Sequence, residues 1–222
     1  MDFTLLWQHK LFLLAGATVT LKLTAGAIII GLILGVMAGV ASVSPARIPR
    51  IISGIYVQIF RGTPMLLQIF FIYFGIPQLF QLIMGRSIMP DPLLVGIIAL
   101  GLNSGAYVAE IVRGGIQAVG QGQMEAGRSI GLSRKMAMRY IIIPQAMKKI
   151  IPPLGNEVIV LLKDSSLISV IGTNELMYSA KVMGAKYYDY VQFLVGAGLI
   201  YLTLTFVISR VLARLEKKLR YA

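Results

Sequence analysis

Three ionisable side chains interrupt an otherwise apolar stretch at residues 152–171: Glu157, Lys163 and Asp164. A charge in a membrane interior is unfavourable by about 3 kcal/mol or more, so it faces protein or water rather than lipid. Glu157 and Asp164 are seven residues apart and fall on nearly one helical face, with Lys163 beside it. A cluster of both signs suits a zwitterionic ligand, with Ser165, Ser166 and Asn103 as hydrogen-bonding groups. It equally suits an internal ion pair that braces a helix bundle. Asn103 and Tyr107, four apart, share a face and either line the same path or pack helices together. Arg61 and Glu110 lie in other apolar stretches, and their opposite signs predict a pair with a gating or structural role. Cysteine is absent and His9 is the single histidine, so no metal site is expected.

The elements that must position these groups are membrane helices. Of 222 residues 57% are hydrophobic and 14% charged, too little polar surface for a soluble domain. Five apolar stretches, at about 11–43, 51–84, 93–112, 152–171 and 190–209, each reach the length of about 20 residues that crosses a bilayer. The first two exceed it, which predicts tilt or helix projecting beyond the membrane. The N-terminal apolar run is too long for a signal peptide. Gly26, Gly31, Gly35 and Gly39 recur about every fourth residue and predict close helix packing. Lys22 is read as snorkelling to the outer surface. The fold class is therefore an all-α membrane protein with five transmembrane helices in a single domain, 1–222.

Five crossings put the termini on opposite faces. One face collects fourteen basic residues: Arg47, Arg50, Arg113, Arg128, Arg134, Lys135, Arg139, Lys148, Lys149, Arg210, Arg214, Lys217, Lys218 and Arg220. The other holds four: Lys10, Arg86, Lys181 and Lys186. The basic face is cytoplasmic by the positive-inside rule, so the N-terminus is outside and the C-terminus inside. The net charge of +12 is then a matter of topology and nucleic acid is not needed to explain it. The tail from Arg210 to Arg220 is read as a snorkelling basic end near anionic lipid.

The longest connection, 113–149, has its own pattern. Met124 to Ile130 predicts a short helix, Gly131 the turn that ends it, and Ser133 the cap of a second helix running to about Tyr140, with Pro144 disrupting the chain beyond it. Glu125, Ala126, Gly127, then Gly131, then Ile141 to Pro144 resemble the EAA loop of bacterial ABC importer permeases, in which Glu-Ala-Ala, three residues, Gly and nine residues precede Ile-x-Leu-Pro. Gly127 replaces the second Ala and Ile143 the Leu. Phe60 to Pro64, Asn103 to Tyr107 with Glu110 and Arg113 to Ile116, and Leu162 to Leu167 are similar to stretches of the polar amino-acid permeases of histidine, arginine and glutamine.

The resemblance implies a bacterial inner-membrane subunit that moves an amino acid into the cytoplasm by alternating access. It implies ATPase docking through a coupling helix built on Glu125, Ala126, Gly127, Gly131 and Pro144. Its partners would be an ATP-binding subunit dimer, a second permease subunit, identical or homologous, and an extracytoplasmic solute-binding protein. ATP and Mg would be used by the partner ATPase, since this chain lacks a G-x-x-x-x-G-K-[ST] loop, and it carries no cofactor of its own. The candidate substrate-binding set is Glu157, Asn103, Lys163, Asp164, Ser166 and Tyr107. The acid at Glu157 favours a basic amino acid (arginine, lysine or histidine), with glutamine the alternative. A small secondary transporter or channel protomer is a rival that would need no docking helix.

Overall fold

The computed structural model describes residues 3–221, with side chains up to Lys217, so the side chains of Lys218 and Arg220 lie outside the described residues. Every element is helical: α1 (Thr4–Gln8), α2 (Lys10–Ser42), α3 (Arg47–Gly62), α4 (Met65–Met84), α5 (Pro92–Gln117), α6 (Gln121–Ser129), α7 (134–164), α8 (Leu176–Tyr187) and α9 (Tyr190–Tyr221). Among the described residues four helices are long and apolar enough to cross a membrane: α2, α4, α5 and α9. The stretch 152–171 is built differently. It is the second half of α7, which holds Pro152, Pro153 and the three charges, followed by a 3-10 segment, Ser165–Ile171.

The centre of the fold is the α2–α5 pair. The glycine stripe of α2 lies against α5, so each missing side chain is a place where the backbones approach. A Cβ on Gly26 would sit 2.9 Å from Ile97, one on Gly31 2.9 Å from Ser104, and one on Gly39 2.6 Å from Val112. Gly101 answers from α5, where a Cβ would sit 2.8 Å from Ile30. Without a hydrophobic drive between helices in lipid, such close van der Waals packing is what holds them. Gly39→Ala should therefore overpack the seam and lower stability by about 1–3 kcal/mol. Thermal unfolding in detergent measures this. Gly54→Ala is the control: a Cβ there meets nothing within 4 Å, so it should be neutral or slightly stabilising.

The stretch 51–84 is not one span. Pro64 pushes Thr63 into the extended region (φ −122°, ψ 147°), and the helix stops at Gly62 and restarts at Met65. The carbonyls freed by that break cannot be left bare in a low-dielectric setting. Gln68 covers them: its Nε2 donates to Phe60 O (2.8 Å), Thr63 O (3.1 Å) and Thr63 Oγ1 (2.8 Å). The helix before the break, α3, buries only Ser53. It is tied down by Ser53 Oγ donating to Ala38 O (2.7 Å) and Tyr56 OH donating to Leu102 O (2.6 Å). Its isoleucines 48, 51, 52, 55 and 59 stay uncovered by the chain.

Pro144 does not disrupt the chain either. Residues 134–164 run as one helix because a π-turn, Met138–Ile142, precedes the proline and takes up its missing donor. The same device appears in α4, where the π-turn Phe71–Gly75 precedes Pro77. The segment Gly172 to Asp189, between the fourth and fifth apolar stretches, contains α8, which packs between α2 and α9. Its N-cap is Glu175, a fully buried acid.

Candidate functional site

Glu157 lies on α7 where it meets α5 and is 8% exposed. Ser104 Oγ donates to its Oε1 at 2.8 Å. Its other oxygen has no hydrogen-bond partner among the described residues. Ser104 is held there by the glycine seam, since Gly31 leaves room for it beside α2. The result is a carboxylate set at the α5–α7 contact with one oxygen bonded and the other still accessible, able to accept from a cationic or hydrogen-bonding group.

The other residues expected around it divide into separate groups. Asn103 is turned to the broken helix. Its Nδ2 donates to Phe60 O (3.1 Å) and Gln68 Oε1 (3.0 Å), so it joins the patch over the Thr63–Pro64 break. Tyr107 is 41% exposed, with the Arg61 guanidinium 5.3 Å from its ring centroid. Lys163 is exposed and Asp164 and Ser166 are half-buried. None of the three makes a hydrogen bond or ion pair with Glu157 among the described residues.

Arg61 and Glu110 do pair, at 3.3 Å. Glu110 is also gripped by Arg113, whose Nη2 and Nε donate to its two oxygens at 2.6 and 2.9 Å. This bidentate contact fixes the carboxylate, and Arg113 in turn donates to Gln117 Oε1 (2.9 Å). The cluster links α3, near its break, to the end of α5.

The segment 118–133 holds a short helix, Gln121–Ser129, that starts three residues before the expected Met124 and ends one before Ile130, with the expected turn at Gly131 after it. Gly131 adopts φ +88°, the left-handed conformation glycine tolerates. Its N–H donates to Arg128 O (3.0 Å), that of Leu132 to Gly127 O (3.1 Å), and Ser133 Oγ accepts from Met136 N (3.3 Å). Glu125, Ala126 and Gly131 are exposed. Gly127 faces inward: a Cβ there would be 2.7 Å from Ile141 Cδ1 and 3.2 Å from Ala137. The departure from Ala at this position therefore has a packing cause, the seating of α6 on the π-turn of α7. Pro144 is exposed on α7.

Three polar residues were missed in the sequence. Ser104 and Gln68 stand inside apolar stretches and were legible on that ground. Glu175 lies between the fourth and fifth apolar stretches. It is a cap and clasp, accepting from Met177 N (2.8 Å), Tyr178 N (2.6 Å) and Tyr201 OH (2.9 Å). Among the described residues no group of three or more His, Asp or Glu side chains is gathered to hold a metal ion.

Comparison with known proteins adds to this geometry. Residues 31–221 match the profile of a family described as binding-protein-dependent transport system inner membrane component. The arginine transport system permease protein ArtQ of Bacillus subtilis (strain 168) is 39% identical over 220 residues, 99% of this chain and 98% of that protein. The glutamine transport system permease protein GlnP of Escherichia coli (strain K12) is 34% identical over 219 residues, again 99% and 98% of the two chains. Among solved structures, an amino acid ABC transporter with histidines superposes with a TM-score of 0.89 at 39% identity, covering 98% of this chain and 99% of that one. The MetNI methionine ABC transporter, in an inward-facing conformation, shares the fold with a TM-score of 0.76 at 21% identity, over 96% and 98% of the two chains.

Proposed function

Because the chain belongs to the family of binding-protein-dependent transport system inner membrane components, we propose that it is the membrane-spanning subunit of an ATP-driven importer of a polar amino acid. It is a multi-pass inner-membrane permease, and ATP hydrolysis belongs to a separate subunit. The finer reading is a basic substrate: arginine, lysine or histidine. Relatives named for arginine and for glutamine are both similar to it, so the names alone do not choose. The observation that favours a cation is Glu157, buried, with one hydrogen bond from Ser104 and no neutralising partner among the described residues. Burial strengthens the attraction of such a carboxylate for a cationic group relative to water. Glutamine remains the alternative, with Glu157 then holding the α-ammonium common to all amino acids.

The site is read more narrowly than the sequence suggested. Glu157 with Ser104 forms its core, and Asp164, Lys163 and Ser166 lie farther along the same segment toward its 3-10 end. Asn103 acts on the site through the helix break. Tyr107, Arg61 and Glu110 form a gate or brace at the end of α3. The membrane arrangement has five crossings, α2, α4, α5, α7 with its 3-10 extension, and α9, in one domain with the N-terminus outside. The exposed Glu125–Ala126 face of α6 docks in a groove of the ATPase, a helix-in-groove contact. A dimer of ATP-binding subunits, a second permease subunit and an extracytoplasmic solute-binding protein complete the assembly, and ATP with Mg is used by the ATPase.

The test is amino-acid stimulation of ATP hydrolysis by the complete assembly in proteoliposomes. Arginine, lysine or histidine should stimulate most. A response to glutamine alone removes the basic-substrate reading, and failure to co-purify with an ATPase removes the importer reading. Topology is checked separately. The chain has no cysteine, so single reporters have no background. A cysteine replacing Ser129 should react with an impermeant reagent only from the cytoplasmic side, and one replacing Ser87 only from outside. The reverse pattern inverts the assigned orientation.

A further inference from the structure

A cleft of about 670 Å³ opens where the end of α2, the start of α3, the end of α5 and the α6–α7 segment meet. That volume is within the range of about 300–1,000 Å³ that small ligands occupy. Two arginines line it, Arg50 and Arg134, and no carboxylate does. Arg50 Nη2 reaches Pro45 O at 3.4 Å, and among the described residues neither guanidinium has an acidic partner. The N-terminus of α6 opens on the same cleft through Gly120 and Gln121. Its N-cap is Gly120, which has no side chain to close the first turn. Guanidinium forks, with orphan amides and the positive helix end as support, are the donor set that phosphate takes. The lining also includes the apolar side chains of Val43, Ile116, Met138 and Ile142.

We propose that this cleft is a phosphate-binding site, filled by the headgroup of an anionic phospholipid or by a soluble phosphate ester. The apolar side chains in the lining favour the lipid, whose glycerol backbone and first methylenes would lie against them. So does the location, at the helix ends that the positive-inside rule assigns to the cytoplasmic leaflet, where basic pockets between membrane helices take anionic headgroups. An occupant there would bridge the α2–α3 elbow and the base of α6, and so would steady the proposed docking helix from behind.

The test uses the purified full chain in detergent and native mass spectrometry, with phosphatidylglycerol, phosphatidylcholine and inorganic phosphate as probes. It needs no ATPase, so it stands or falls apart from the importer reading. Phosphatidylglycerol should bind at least about tenfold more tightly than phosphatidylcholine, a difference of about 1.4 kcal/mol. Arg50→Gln with Arg134→Gln should remove that preference, and each single variant should weaken it severalfold. The single variants give the reading if the double variant does not fold. Arg86→Gln, exposed in the connection on the opposite face, should leave it unchanged. Binding of inorganic phosphate that displaces phosphatidylglycerol and is lost in the same variants supports the site and names the soluble source. Equal retention of the two lipids without phosphate binding overturns the proposal, as does undiminished binding in the arginine variants.

Discussion

Gly131→Trp should give a chain that reaches the membrane folded, fails to hold the ATP-binding subunit and supports no uptake. Gly131 sits at φ +88° just beyond the end of α6, exposed, with nothing within 4 Å of a built Cβ. A tryptophan there meets strain of roughly 1–2 kcal/mol from the left-handed backbone but no clash within the chain. That is too little to unfold the α2–α5 core. The bulk falls outward, beside the exposed Glu125–Ala126 face. Gly131→Ala carries the same backbone strain without the bulk and should retain most ATPase binding. Co-purification of the ATPase and uptake into proteoliposomes read both variants. A tryptophan variant with a normally bound ATPase and normal uptake would sink the docking assignment.

Glu157→Gln should lower arginine-stimulated ATP hydrolysis far more than glutamine-stimulated hydrolysis. Glutamine keeps the size of the side chain and an acceptor for Ser104 Oγ, so the α5–α7 contact survives. What disappears is the negative charge. Losing one desolvated ion pair is worth on the order of 2–5 kcal/mol, a shift of about thirtyfold or more in the half-stimulating arginine concentration. Equal losses for both substrates assign Glu157 to the α-ammonium. No loss for either, in an assembled complex, leaves it a brace between α5 and α7 and removes the argument for a cationic substrate.

What the sequence disclosed depended on how local the cause was. The glycine stripe and the Gly131 turn were legible because helical spacing and left-handed backbone are properties of a few neighbouring residues. The Arg61–Glu110 pair was legible because two opposite charges in apolar stretches have few other ways to be neutralised. The break at Thr63–Pro64 was hidden by reading 51–84 for average apolarity, although the proline and its restricted neighbour were in plain view. Asn103 stays open in the sequence between lining a path and packing helices, because its partners, Phe60 O and Gln68, exist only once the helix has broken some forty residues earlier in the chain. Glu175 is not legible in the sequence, because a cap has meaning only after the helix it caps is known. Pro144 breaks a helix by the rule for helix interiors, and the π-turn before it lifts that rule.

The π-turn in α7 also sets the phase of everything beyond it. One residue more than an α-helix needs is wound into Met138–Ile142, and in a helix of 3.6 residues per turn one residue is a rotation of about 100°. The azimuth at which Glu157 meets Ser104 is therefore counted from the far side of that extra residue, not from the docking segment. A one-residue deletion in 143–156, between that turn and Glu157, would shorten the chain by less than half a percent of its length. It would also swing Glu157 about a quarter-turn out of the α5 interface. The same loss inside 138–142 would instead be absorbed, because the wide turn would relax to ordinary α-helical winding and Glu157 would keep its face.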